Sequence, residues 1–246
     1  MSMKRWARLF KELDSTTSTN AKVDALARYF EDVDDRDKVW TIALLSRRRP
    51  PRAINYRLLG EWASEQAELP QWLFEESYHV VGDYAETISL LVPQTSEVSE
   101  SESLSHYLEL MIRLKKEDEE VKKAEVLEAW KDLDTIEVFL FNKLITGGLR
   151  VGVSQKLMVR ALAMHTGKDE NTLALRLMGD WDPSTVSFEE LVIEDNPEDD
   201  LSRPYPFYLA YALDIAPEEL GDVNDWIVER KWDGIRGQLI FRKGHL

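Results

Sequence analysis

Through most of the first 180 residues apolar side chains return every three or four positions, and no comparable alternating run appears there. That period belongs to helices with one buried face. From Asn20 to Tyr29 and just beyond, Val23, Leu26, Ala27 and Phe30 fall on one stripe; Lys38 to Leu45 and Ile54 to Trp62 repeat the pattern. Pro50-Pro51, Pro70 and Pro93, with glycines at 60, 82, 147, 148, 167 and 179, punctuate the helices. No fixed-period repeat is visible, so a bundle is expected rather than a solenoid. A chain of 246 residues, 43% hydrophobic with eight tryptophans, has material for one large or two smaller cores. The expected fold class is mainly α.

The net charge of −15 is unevenly spread: −2 over residues 1–93, −7 over 94–138, +3 over 139–180, −8 over 181–200 and −1 over 201–246. Residues 94–103, Gln-Thr-Ser-Glu-Val-Ser-Glu-Ser-Glu-Ser, are low in complexity and read as a mobile acidic loop between two helical sub-bundles. Asp182 to Asp200 holds eight acids, no base, and Pro183 and Pro197, the composition of a solvated connector. Only 139–180 is net basic, and local potential governs contact with phosphate. No apolar run approaches the ~20 residues of a membrane span. The start, Met1-Ser2-Met3-Lys4-Arg5-Trp6, has no apolar region behind it and is not a signal peptide. Absence of cysteine excludes disulfides, thiolate catalysis and Cys-based zinc sites. His79, His106, His165 and His245 are too scattered for a metal set, and no metal ligand is expected.

Inside the basic segment, Thr146 to Ser154 carries two alternatives. Gly147, Gly148 and Gly152 let backbone approach a phosphate, Arg150 offers a fork, and Ser154 can cap a helix from Gln155 to Met164 whose N-terminus favours anions. The same residues also suit a plain helix-to-helix turn with a glycine cap after Leu144-Ile145. Arg47-Arg48-Arg49-Pro50-Pro51-Arg52 is a second basic cluster, suited equally to a phosphate contact and to a solvated turn.

Near the C-terminus, Lys231-Trp232-Asp233-Gly234-Ile235-Arg236 spells Lys-x-Asp-Gly-x-Arg, with Glu229 two residues upstream. Asp225 to Arg230 and Gly237 to Arg242 read as strands on either side. Residues two apart in an extended chain share a face, so Glu229, Lys231 and Asp233 could enter one pocket. Gly234 permits a positive φ or close approach, and Arg236 supplies a fork for phosphate or ribose oxygens. A lysine nucleophile must be neutral, a state held by only on the order of one in a thousand at pH 7, so its pKa would have to be depressed. The competing reading is a charged edge strand with a turn glycine.

Further stretches belong with that motif: Ser202-Arg203-Pro204-Tyr205-Pro206-Phe207-Tyr208-Leu209-Ala210-Tyr211, Lys143 to Ser154, Ser18-Thr19-Asn20-Ala21-Lys22, and Tyr78 to Thr87. Taken in order, they resemble the ATP-dependent DNA ligases, specifically bacterial repair-type enzymes with a helical DNA-binding domain ahead of the adenylation domain. The resemblance implies an all-helical DNA-binding domain over 1–200 and the first strands of an α/β nucleotidyltransferase domain over 201–246. It implies that Lys231 attacks ATP to form lysine-AMP, that AMP passes to the 5′-phosphate of a nick, and that the 3′-hydroxyl displaces it. Glu229 would read the adenine amine and Arg236 the ribose or nick phosphate; Asp233 would orient Lys231 or cap the turn. Gly147, Gly148, Arg150, Gly152 and Ser154 would grip the DNA backbone. ATP and Mg2+ are the implied cofactors, and nicked duplex DNA the implied partner of a monomeric, cytoplasmic, nucleoid-associated enzyme of repair, replication and recombination. The chain ends fifteen residues after Lys231, before the family's metal ligands, so an incomplete adenylation domain without activity of its own is expected. Two alternatives stay open: another lysine nucleotidyltransferase, such as an RNA ligase or capping enzyme, and a non-catalytic helical interaction module.

Overall fold

The structure, a computed structural model, describes residues 3–93, 101–149, 151–194, 213, 215–230, 232, 234 and 237–241. They divide into two units, 1–194 and 195–246. In the first, the helices are α1 (Met3–Asp14), α2 (Thr19–Asp32), α3 (Asp35–Leu45), α4 (Tyr56–Gln66), α5 (Gln71–Val81), α6 (Tyr84–Leu91), α7 (Leu104–Leu114), α8 (Glu119–Asp132), α9 (Thr135–Thr146), α10 (Gln155–Thr166) and α11 (Glu170–Met178). The mainly α expectation holds, and no strand occurs among the described residues.

Most helices begin where a short polar side chain turns back on the backbone. Ser18, Asp34, Asn55, Asp83, Ser103, Asp118, Ser154 and Asp169 each accept a first-turn N–H. At α9, Asp134 and Glu137 form a reciprocal capping box. The stripes do what their spacing requires: Val23, Leu26, Ala27 and Phe30 of α2 are all buried. Helix α9 is deeply buried, with Val138, Leu140, Phe141, Leu144 and Ile145 buried on more than one side. It packs on α6, α1 and α7, while α10 lies along α2.

The low-complexity segment falls mostly on residues 94–100, outside the described residues. Its last three residues are held by the bundle. The Ser101 hydroxyl donates to the buried Glu137 carboxylate, Glu102 O accepts from Met3 N at 2.7 Å, and Ser103 caps α7.

The acidic stretch after residue 180 is likewise packed through its first half. Phe188, Leu191 and Val192 are buried while Glu189 and Glu190 face out, and Glu189–Ile193 forms one π-type turn. Its apolar residues share one side, so a stretch that reads as connector by charge still has a face to bury. Arg36 anchors it through the carbonyls of Pro183 (2.6 Å) and Ser184 (3.0 Å).

In the second unit, single 3-10 turns occur at Pro217–Glu219 and Val223–Asp225, and Trp226 Nε1 donates to Leu220 O at 2.8 Å. Asp225 thus belongs to a turn, not to the strand expected from that residue onward. Gly237 to Phe241 are described without a strand pairing; Arg242 lies outside the described residues.

Candidate nucleic-acid interface

The loop from Gly147 to Ser154 joins the two helices that matter most for its shape. At its start Gly147 adopts φ +90°, and its N–H donates to Lys143 O at 2.9 Å, closing α9. At its end the Ser154 hydroxyl accepts from Leu157 N at 3.3 Å and opens α10. The glycine-cap reading and the N-cap reading therefore both hold, at opposite ends of one loop.

Between them, cations from α2, from α9 itself and from the turn after α3 reach the loop. Arg49 donates to Gly147 O, and to Leu149 O at 3.5 Å. Lys22 of α2, only 7% exposed, donates to Val151 O. Lys143, ion-paired with Asp83, lies beneath Gly148. Each glycine stands against one of these head groups: a Cβ on Gly147 would be 2.8 Å from Arg49 Nη1, on Gly148 2.9 Å from Lys143 Nζ, and on Gly152 2.8 Å from Lys22 Nζ. Gly152 also holds φ +61°. The glycines thus admit groups from the protein itself. Arg150 lies outside the described residues.

Helices α2 and α10 run in the same direction. Lys22, in the first turn of α2, meets Val151 just ahead of α10, whereas Phe30 near the end of α2 lies 6.0 Å from the ring of His165 near the end of α10. Their N-termini, capped by Ser18 and Ser154, therefore open on the same side as the loop, where backbone N–H groups and helix dipoles favour an anion. Arg160 donates to Asn20 at 3.1 Å and ties the two helices near that end, and Lys156 is exposed on the first turn of α10.

The basic turn divides by role. Arg48 folds inward, donating to Gly179 O (2.5 Å), Trp181 O (3.2 Å) and Leu177 O (3.4 Å), with its guanidinium 4.6 Å from the Trp181 ring centre. It closes the end of α11. Arg47 and Arg52 are exposed, and a cleft of about 180 Å3 lies between Arg49–Ala53 and Leu144–Gly147. Sequence reasoning missed Lys22, Arg49 and Lys143 as partners of the loop. Lys22 and Lys143 lay inside quoted stretches, but nothing in their spacing showed where their long side chains would end.

For the nucleotide motif, Lys231, Asp233 and Arg236 lie outside the described residues. Glu229 is exposed, Gly234 sits in a bend, and no described side chain of 195–246 is buried. The described residues there enclose no nucleotide. They also contain no cluster of acids and histidines able to hold a metal ion, and no described helix is long and apolar enough to cross a membrane.

No curated protein matches the chain. A family model described as DNA ligase N terminus matches residues 2–163, covering α1 to α9, the glycine loop and most of α10, and stopping short of Glu229 and Lys231. Since that match takes in more than half of the chain, the loop just described included, the chain belongs to the family of DNA ligase N-terminal domains, those of the ATP-dependent ligases.

Proposed function

We propose that residues 1–200 form a domain that holds the sugar-phosphate backbone of nicked duplex DNA, in a ligase that seals the nick through an adenylated Lys231. The observation that carries the DNA reading is the set of cations seated against Gly147, Gly148 and Gly152. The carbonyl oxygens of Gly147, Leu149 and Val151 already face Arg49 or Lys22, so the partial negative charges of the loop are compensated from within. Phosphate approaching the loop and the two helix N-termini then meets little repulsion. Contacts of this kind position a duplex without reading its sequence.

The full chain should bind nicked duplex with affinity that falls steeply as salt rises. Arg150→Ala should weaken binding and lower the slope of log affinity against log salt by about 0.9, one phosphate contact on B-DNA. An unchanged slope and affinity in a folded variant would place the contact elsewhere.

For the chemistry, Lys231 is the nucleophile, Glu229 and Arg236 hold adenosine and phosphate or ribose, Asp233 orients the lysine, and ATP with Mg2+ supplies the adenylyl group. Family membership favours this over an RNA ligase, a capping enzyme or a non-catalytic module. In a protein carrying the whole adenylation domain, labelled ATP should leave acid-labile label on Lys231. Label that persists in Lys231→Ala removes the assignment.

A further inference from the structure

Between Arg57 and Arg113 the chain has eleven carboxylate side chains and no lysine or arginine. Helices α5 and α6 lie wholly inside this stretch. Their outer face is also apolar: Trp72 is 64% exposed, Val80 86% and Leu90 61%. Trp72, Glu76 and Val80 recur at every fourth residue of α5, so a carboxylate stands within the apolar stripe. A groove of about 400 Å3 runs between α5 and α6, lined by Leu73, Glu76, Ser77, Val80, Thr87 and Leu90, with no lysine or arginine in its lining; Glu86 is exposed one residue before Thr87 and lines, with Leu90, the neighbouring cleft. The core does not use Trp72, Val80 or Leu90, since α5 and α6 bury Phe74, Ala85 and Ile88 instead.

We propose that the α5–α6 groove docks a cationic amphipathic helix from a partner protein. Apolar residues on one face of that helix would cover Val80 and Leu90, and flanking lysines or arginines would meet Glu76 within the groove and Glu86 at its edge. The charge of the face selects this occupant. Phosphate-rich DNA and anionic lipid are repelled by it, and a second copy of the chain docked face to face would set the same carboxylates against each other. The ligase reading is not needed for this inference, which rests on the groove and the charge of its rim.

The test uses the full chain and a fluorescein-labelled Leu/Lys amphipathic helix about four turns long, with a Leu/Glu version of the same pattern as control. At physiological salt the Leu/Lys probe should bind and the Leu/Glu probe should not. Val80→Ser with Leu90→Ser, both at exposed positions, should weaken binding about tenfold, the scale of losing a few buried methylenes. Glu76→Lys should weaken it comparably, while Glu119→Lys on α8, an equal change of charge on another helix, should not. Melting curves and nicked-duplex affinity should stay at parental values in the groove variants. Equal losses at Glu76 and Glu119 would reduce the effect to diffuse charge attraction and overturn the proposal. So would binding that ignores Val80 and Leu90, or a dimer of the chain that the Val80→Ser, Leu90→Ser change dissociates.

Discussion

Gly152 shows how one missing Cβ can set both the shape and the stability of a loop. Its φ of +61° strains any L side chain, and its α-carbon lies where the Lys22 ammonium passes to reach Val151 O. An alanine there meets two separate costs: backbone strain on the order of 1 kcal/mol, and displacement of a buried donor from its acceptor, roughly 1–3 kcal/mol. Only the second depends on Lys22. Gly152→Ala should therefore destabilise the chain clearly, and the same change made in a Lys22→Met background should cost less. The coupling read from denaturant melts of the four proteins should be on the order of 0.5–3 kcal/mol. Additive effects would mean that the glycine serves the turn alone and Lys22 takes no part in shaping the loop.

Among the elements, what the sequence made legible follows from how local each cause is. The stripes that become α2, α3 and α4 need only the helical period, and Ser154 and Gly147 act within four residues of themselves. Causes that act over a distance were hidden. The arginine run shows its charge in the sequence, but the fold of Arg48 onto Gly179 spans 131 positions and depends on where α11 ends. Counting charge over residues 181–194 averages exposed Glu189 and Glu190 with buried Leu191 and Val192, so a packed turn reads as connector. Ser101 sits in a run whose composition suggests mobility, yet a buried carboxylate on α9 holds it. The glycine loop was legible as a site of close approach, whereas the identity of the approaching groups depended on α2, α9 and the turn after α3 meeting there. Around Lys231 the motif was legible in the sequence, and its geometry lies outside the described residues.

At the scale of the whole molecule, the two most revealing titratable groups clamp the stretch from Ser101 to Ser105 onto the bundle. Asp37 of α3 accepts from Ser105 N at 2.8 Å, and Glu137 of α9 accepts from Asp134 N at 3.0 Å and from the Ser101 hydroxyl; their residues are 2% and 0% exposed. Burial raises both carboxyls above their ordinary values of 3.8 and 4.5, although hydrogen bonds to the ionised forms pull the other way. A carboxyl raised by folding favours the folded state in its protonated form. Its contribution is full below the ordinary value and is lost as pH climbs through the raised one. Asp83 works in reverse: burial alone would raise it, but the Lys143 ion pair and the N–H groups opening α6 lower it, so its contribution is present above 3.8 and is lost as pH falls through the lowered value. Glu137→Gln removes one of the raised groups while keeping an acceptor for Asp134 N, and the Ser101 hydroxyl can turn to accept from the new amide. Thermal melts across a pH series should then show the variant gaining on the parent as pH rises from about the ordinary carboxylate range toward neutrality, with the gap closing at the acid end. A gap that widened on acidification would mean that Glu137 is held ionised in the folded chain, and that the clamp on Ser101 stabilises it as a charge.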